Sequence, residues 1–293
     1  MNIACEAIRA ALRSGDELAN VPRQVVDVPS GQLLLMPASN SRYSGVKVAS
    51  VAPANPAAGL ARIQGVYVLM DGATLSPVWQ CDAAMLTLLR TTAVSMVALE
   101  MLDARCDHVV VFCTGPQAAA HVRALIELFR PSQIHVVGRT LQTAQAFVSS
   151  NFANSPTVVV AAESARVSAA DTVVCCTSSH VPLFEGSLVT ASPVVVAIGS
   201  HTRIARELPG DLVARSSIVL ESMLTLPDAG DVVLAMAEFT SCTVTTTLGD
   251  LVRGTASLPS HAPRVFKSVG QAWQDLAVAE ALYDQHLQGG AGP

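Results

Sequence analysis

Residues 107–122 read DHVVVFCTGPQAAAHV. An apolar run, His108 to Phe112, enters a turn of small residues and leaves it as an amphipathic stretch with Ala and Val on one face. That outline is a strand, a phosphate-binding turn and a helix N-terminus, where backbone N–H groups can receive an anion. A dinucleotide fingerprint would read G-x-G-x-x-G or G-x-G-x-x-A. Gly115 and Ala118 match it, but Cys113 stands in place of the first glycine. That glycine mainly relieves the tight turn, so a cysteine is tolerable there if its φ stays negative. On this stretch alone two readings stay open: a cofactor site short of one glycine, or a buried strand with a turn after it.

The neighbouring sequence repeats the outline. Apolar strand candidates lie at 108–113, 133–138, 157–162, 171–176, 193–198 and 217–221, with helical patterns between several of them, as in QAAAHVRALIELFR and TLQTAQAFVSSN. Short β-branched runs separated by helices predict a parallel sheet wound by right-handed crossovers. The first hundred residues differ. GQLLLMPA, SGVKVASV and IQGVYVLMDG read as strands joined by turns, with Asp71-Gly72 a hairpin signal. A helix from Asp82 to Ala104 then leads into the wound region, and SVGQAWQDLAVAEALYDQHL is helical again before QGGAGP. The fold class is α/β: a doubly wound parallel sheet over 105–261, plus an α+β lobe over 1–104 joined by a C-terminal helix within 262–293.

Hydrophobic residues make up 51% of the 293 residues and charged ones 14%. No apolar run approaches the ~20 residues of a membrane span, so the excess is read as core and oligomer interface rather than membrane. The N-terminus, with Glu6, Arg9 and Arg13, reads as a helix and not a signal peptide. A net charge of -5 and the lack of a basic stripe with interleaved aromatics argue against nucleic acid. The seven cysteines and seven histidines show no metal-ligand spacing, and reduced cysteines suit a cytoplasmic protein.

At the tip of the second wound strand, HVVGRT carries Arg139 where an NAD site would place a carboxylate for the ribose hydroxyls. A guanidinium there suits a 2′-phosphate, through charge-assisted paired bonds. NADPH is therefore favoured as cofactor, with NADH less so.

Four segments, GVKVASV, LRTTAVSMVA, ELPGDLVARSSIVLES and FKSVGQAWQDLAVA, together resemble the ornithine cyclodeaminase/μ-crystallin family. They fall in the family's order from about Arg23 to Ala281, and the tail pattern Phe266-Lys267-Ser268-Val269-Gly270 followed by Asp275-Leu276-Ala277 is specific. The resemblance implies a Rossmann lobe and a substrate-binding, dimerising lobe, hence a homodimer. It implies that Arg23, Lys47 and Arg90 hold a substrate carboxylate and that Thr91 sits near the nicotinamide or its phosphates. With it, the cofactor site is assigned to Thr114, Gly115, Pro116, Gln117, Ala118, Arg139, Thr140, Thr177, Ser178 and Lys267. Lys47 and Lys267 are the only lysines, against 16 arginines, and both fall inside family motifs.

The chain also departs from the pattern. Cyclodeaminases of the family carry an Asp in a G-A-D segment after the fifth strand, and GSHTRIARELP puts His201 there. A carboxylate that must act as base suits deamination of ornithine, whereas reduction of a preformed cyclic imine asks for less proton handling. The resemblance is thus to the reductase branch: NADPH-dependent reduction of 1-pyrroline-2-carboxylate to proline and 1-piperideine-2-carboxylate to pipecolate, with Lys47 and His201 catalytic. The alternatives are an ornithine cyclodeaminase or alanine-type dehydrogenase and, in another class, a μ-crystallin-like NADPH-binding protein with little turnover.

Overall fold

The computed structural model describes residues 1–16, 21–259 and 262–289, which divide into two compact units. Residues 1–94 and 271–293 make up the first and residues 95–270 the second.

In the first unit, strands β1 (Gln24–Val28), β2 (Gly31–Ser39), β3 (Tyr43–Val51), β4 (Ile63–Asp71) and β5 (Pro77–Asp82) form an antiparallel sheet in sequence order. Alternation sets its faces. Gly45, Lys47 and Ala49 of β3 and Tyr67 and Leu69 of β4 are buried, while their neighbours face outward. The register pairs Lys47 directly with Tyr67 on β4 and with Met36 on β2. Helices α1 (Asn2–Ser14) and α8 (Ala272–Gly289) pack on each other, and α8 lies on β2, β3 and β4. The Asp71-Gly72 turn forms as the sequence suggests: Asp71 Oδ1 accepts from the Ala73 and Thr74 N–H groups.

Helix α2 (Ala83–Met101) starts at Asp82, whose Oδ1 accepts from Met85 N–H. It corrects one expectation. At 19 residues and mean hydropathy 1.3 it is long and apolar enough to cross a membrane, and 61% of that stretch is buried inside the protein. Arg90, at its middle, is bonded within the protein to Gln274 and ion-paired to Asp275, as in a core helix.

The second unit is an eight-stranded sheet in which every pairing is parallel, in the order β12-β11-β13-β10-β9-β6-β7-β8. Its strands β6 (His108–Phe112), β7 (Gln133–Val137), β8 (Val158–Ala161), β9 (Thr172–Cys175), β10 (Val194–Ala197) and β11 (Ser217–Leu220) fall within the runs read from the sequence. Both faces are covered, so these strands are apolar at nearly every position. The order of winding reverses between β6 and β9, which places a topological switch point at their carboxyl ends.

Two strands are absent from the sequence reading, β12 (Val244–Thr247) and β13 (Arg264–Lys267). The second corrects the domain boundaries. β13 inserts between β11 and β10, so residues 264–267 belong to the parallel sheet rather than to the first lobe. The units divide at Val94/Ser95 and Gly270/Gln271, not at 104 and 261. Residues 17–20, 260, 261 and 290–293 of the assigned ranges lie outside the described residues.

Candidate active site

In the first unit, a cationic cluster is built around Asp275 in the first turn of α8. Lys47 Nζ donates to Asp275 Oδ2 at 2.7 Å and to Thr87 Oγ1 at 3.2 Å. The Arg90 guanidinium donates to Gln274 Oε1 at 2.6 Å and brings Nε within 3.3 Å of Asp275 Oδ1. That last approach is an ion pair without hydrogen-bond geometry, leaving Arg90 Nε and Asp275 Oδ1 buried without a hydrogen-bond partner. Lys47, Arg90 and Asp275 are 3%, 6% and 0% exposed, so these charges are withdrawn from water. Arg23, half-buried, acts on Lys47 as a further positive charge.

Two buried cations share one carboxylate, and a buried excess of positive charge is costly unless an anion compensates it. A substrate carboxylate is such an anion, and a guanidinium fork suits it. Burial pulls the Lys47 ammonium down to about 8, with Arg90 and Arg23 pushing the same way and Asp275 opposing. Lys47 thus holds or releases a proton close to neutral pH. Thr91, next to Arg90 on α2, is buried as well.

In the second unit, helix α3 (Pro116–Leu128) begins at the carboxyl end of β6. Gly115 is its extended N-cap, no side chain caps the first turn, no acidic residue lies in that turn, and Pro116 needs no N–H partner. A Cβ added at Gly115 would meet nothing nearer than Cys113 Sγ at 3.5 Å. The helix start therefore lies beside a switch point with no side-chain cap on its first-turn N–H groups, which fits a dinucleotide pyrophosphate. Cys113 departs from the sequence reading: its φ is +132°, not negative. That φ lies in the region that favours glycine, at a strain of ~1–3 kcal/mol for a residue with a Cβ.

Arg139 stands exposed just past β7, and its guanidinium makes no hydrogen bond or ion pair among the described residues. Thr140 is committed locally. It caps α4 (Leu141–Phe152) in a reciprocal box with Thr143, accepting from Thr143 N–H at 3.1 Å. Gly138 is required by the packing, because a Cβ there would lie 2.7 Å from Thr143 Oγ1 and 3.1 Å from Thr114 Cγ2.

The loops after β9 and β10 are tied by buried carboxylates that the sequence reading missed. Glu207 accepts from Thr177 N–H and Oγ1 at 2.6 and 2.8 Å and from Gly199 N–H at 2.7 Å. Asp231 accepts from Ser200 Oγ at 2.6 Å and from the Glu207 and Leu208 N–H groups at 2.6 and 2.8 Å. Burial raises the Glu207 carboxyl above its usual range. Burial also works to raise Asp231, but the Lys267 ammonium and these hydrogen bonds hold it below the ordinary range.

This network corrects the assignment of Lys267 to the cofactor. Its side chain is 0% exposed, and Nζ is spent on Ser200 O at 2.6 Å, Ser200 Oγ at 2.8 Å and Asp231 Oδ2 at 3.0 Å. No donor remains for a phosphate. Thr177 likewise spends its amide and hydroxyl protons on Glu207, whereas Ser178 is exposed. One residue beyond the anchored Ser200, His201 is exposed, with Nδ1 3.3 Å from the Gly199 carbonyl oxygen.

The model of the ornithine cyclodeaminase/mu-crystallin family matches residues 1–290. The chain belongs to this family. Among its relatives, Delta(1)-pyrroline-2-carboxylate reductase 1 of Burkholderia multivorans is 30% identical over 270 residues, 92% of this chain and 85% of that protein. Delta(1)-pyrroline-2-carboxylate/Delta(1)-piperideine-2-carboxylate reductase of Azospirillum brasilense is 30% identical over 271 residues, with the same shares covered. The solved Delta(1)-pyrroline-2-carboxylate reductase of Thermococcus litoralis, in complex with NADH and L-proline, superposes with a TM-score of 0.88 at 27% identity, over 99% of this chain and 94% of that one.

Asp275 and Gln274, which orient the cations of this family member, had one usable signal in the sequence. Both are polar residues in the first turn of a largely apolar helix, and Asp275 belongs to the specific tail pattern itself. Glu207 opens the family segment ELPGDLVARSSIVLES, yet nothing in the sequence marks it or Asp231 as a buried carboxylate.

Proposed function

We propose that the protein reduces cyclic imino acids with NADPH, converting 1-pyrroline-2-carboxylate to proline and 1-piperideine-2-carboxylate to pipecolate. The observation that carries this reading is the buried Lys47–Asp275–Arg90 cluster, whose surplus positive charge, with Arg90 Nε lacking a hydrogen-bond partner, calls for a small carboxylate. The named activity of relatives at 30% identity over most of the chain supports the imine class. The dinucleotide, when bound, supplies the hydride. The chain's own part is to grip the substrate carboxylate with Lys47, Arg90 and Arg23 and to receive the pyrophosphate at the Thr114–Ala118 turn. His201 holds or donates a proton at the substrate nitrogen. A neutral or cationic imidazole is a poor substitute for a carboxylate base beside a cationic amine, which weighs against ornithine deamination.

One assay tests the reading: NADPH oxidation with each cyclic imine, set against ammonia release from ornithine. Imine-dependent oxidation and no appreciable ammonia are expected. Steady conversion of ornithine to proline and ammonia, with catalytic NAD and no imine supplied, would refute the reductase.

The preference for NADPH over NADH rests on the unengaged, exposed Arg139 guanidinium. Arg139→Ala should remove most of the preference, a loss of ~1.5–3 kcal/mol for a charge-assisted contact. Equal kcat/KM for both cofactors in the unaltered enzyme contradicts the assignment. A homodimer is supported by the apolar side chains exposed on the antiparallel sheet: Val25, Val26 and Val28 of β1, Ile63 and Val66 of β4 and Val78 of β5. The free cysteines suit a reducing, cytoplasmic setting.

A further inference from the structure

We propose that Cys113 and Cys176 form a peroxide-responsive thiol pair whose closure into a disulfide shuts the dinucleotide turn; the effect on binding rests on the dinucleotide reading above. The parallel register of β6 and β9 runs to Phe112↔Cys175, and Cys176 N–H donates to Phe112 O at 3.1 Å. The next residues along the two strands are Cys113 and Cys176. Neighbouring strands lie ~4.8 Å apart, inside the ~4.4–6.8 Å Cα separation that disulfides span. The two thiols are close enough for the charge of one to act on the other. Cys175 does not compete, because adjacent residues on a strand face opposite sides and Cys175 lies in the apolar core. Cys113 is partly exposed at the carboxyl end of the sheet, so an oxidant can reach it, and Cys176 is 8% exposed beside it.

The position gives the bond a consequence. Cys113 is the residue whose φ of +132° sets the entry to α3, and its sulfur lies 3.5 Å from where a Gly115 Cβ would be. A disulfide wants its Cβ atoms ~3.5–4.5 Å apart, closer than side chains on neighbouring strands stand, so closure pulls Cys113 toward β9 and distorts the turn. Strain at this one residue leaves the turn sensitive to such a pull.

The chemistry balances with hydrogen peroxide as oxidant. The Cys113 thiolate attacks a peroxide oxygen; an S–O bond forms, the O–O bond breaks, and the departing hydroxide takes up the thiol proton as water. The Cys176 sulfur then attacks the sulfenic sulfur; the S–S bond forms, the S–O bond breaks, and the oxygen leaves as a second water with the Cys176 proton. The two thiols lose two electrons, and the peroxide gains them.

The test is peroxide titration of the reduced full-length protein, read by intact mass, by peptide mapping without reductant and by NADPH fluorescence. The expected result is a loss of ~2 Da, a Cys113–Cys176 cross-linked peptide, and an NADPH Kd raised at least ~10-fold and restored by dithiothreitol. Cys176→Ala should bind NADPH when reduced and give no cross-link. Cys113→Gly, which restores the fingerprint glycine and relieves the strain, should bind NADPH at least as well and keep its affinity in peroxide. Thiols at 113 and 176 that survive peroxide unlinked overturn the pair. A cross-link that forms with the NADPH Kd unchanged overturns the shutting of the turn. A reduced protein that binds neither NADPH nor NADH overturns the dinucleotide reading, and the cross-link is then judged by mass alone.

Discussion

With Lys47 replaced by Met, kcat/KM for 1-pyrroline-2-carboxylate should fall by roughly 10–100-fold, the equivalent of the ~1.5–3 kcal/mol that a hydrogen bond to a charged group contributes. Methionine fills a similar volume but carries neither the charge nor the donors, so the loss reports the anchor and not a cavity. NADPH affinity should hardly change, because Lys47 lies on β3 of the antiparallel sheet and the dinucleotide turn belongs to the other unit. The pH profile supplies a second readout. Burial brings the Lys47 ammonium down to about 8, so the charged form prevails below that pH and is lost above it. In the unaltered enzyme kcat/KM should therefore decline as pH rises through about 8, and the Met variant should lack that limb. Unchanged kinetics at Lys47, or an alkaline limb that persists in the variant, contradicts the carboxylate anchor.

The residues that make this cluster were legible in the sequence only in part, and the reason is physical. Lys47 and Arg90 stand out only through the family segments GVKVASV and LRTTAVSMVA that contain them, because a lone lysine on a strand or arginine on a helix equally suits an exposed face. Their partner Asp275 is 228 residues away from Lys47, and no periodicity reports a contact at that range. The wound sheet was legible for the same reason that it is stable: strands buried on both faces are nearly unbroken runs of Val and Ile. β12 and β13 escaped because VTTT and RVFK are four residues each, with polar members that resemble loop sequence. Cys113 was placed correctly in the turn but given the wrong backbone. The choice between negative and positive φ is made by the closure of β6 onto α3, not by the residue. Lys267 misled in the opposite way, since a lysine in a family motif reads as a ligand until its partners are seen.

Lys267→Met should cost the most stability of any change considered, ~3–5 kcal/mol, the usual penalty for breaking a buried ion pair by removing one partner. Asp231 would be left 0% exposed without its cation, beside Glu207, whose carboxyl burial already raises. Three contacts go at once, to Asp231, Ser200 O and Ser200 Oγ, and with them the tie between β13 and the loop after β10. For a unit of this size the loss corresponds to a fall in Tm of roughly 6–20 °C. Its pH dependence follows from the direction of the Asp231 shift. A carboxyl held below its ordinary value contributes stability above the unfolded pKa, and that contribution is lost as pH falls through the folded value. The gap in Tm between the unaltered protein and the Met variant should therefore be widest at neutral pH and narrow below about pH 4, where the unfolded carboxyl takes up its proton. A cofactor ligand would behave otherwise: Tm in the absence of nucleotide would hold, and KM for NADPH would rise at every pH. Calorimetry across that pH range, with NADPH titrations on the same samples, separates the two. An unshifted Tm with weakened NADPH binding would return Lys267 to the cofactor site.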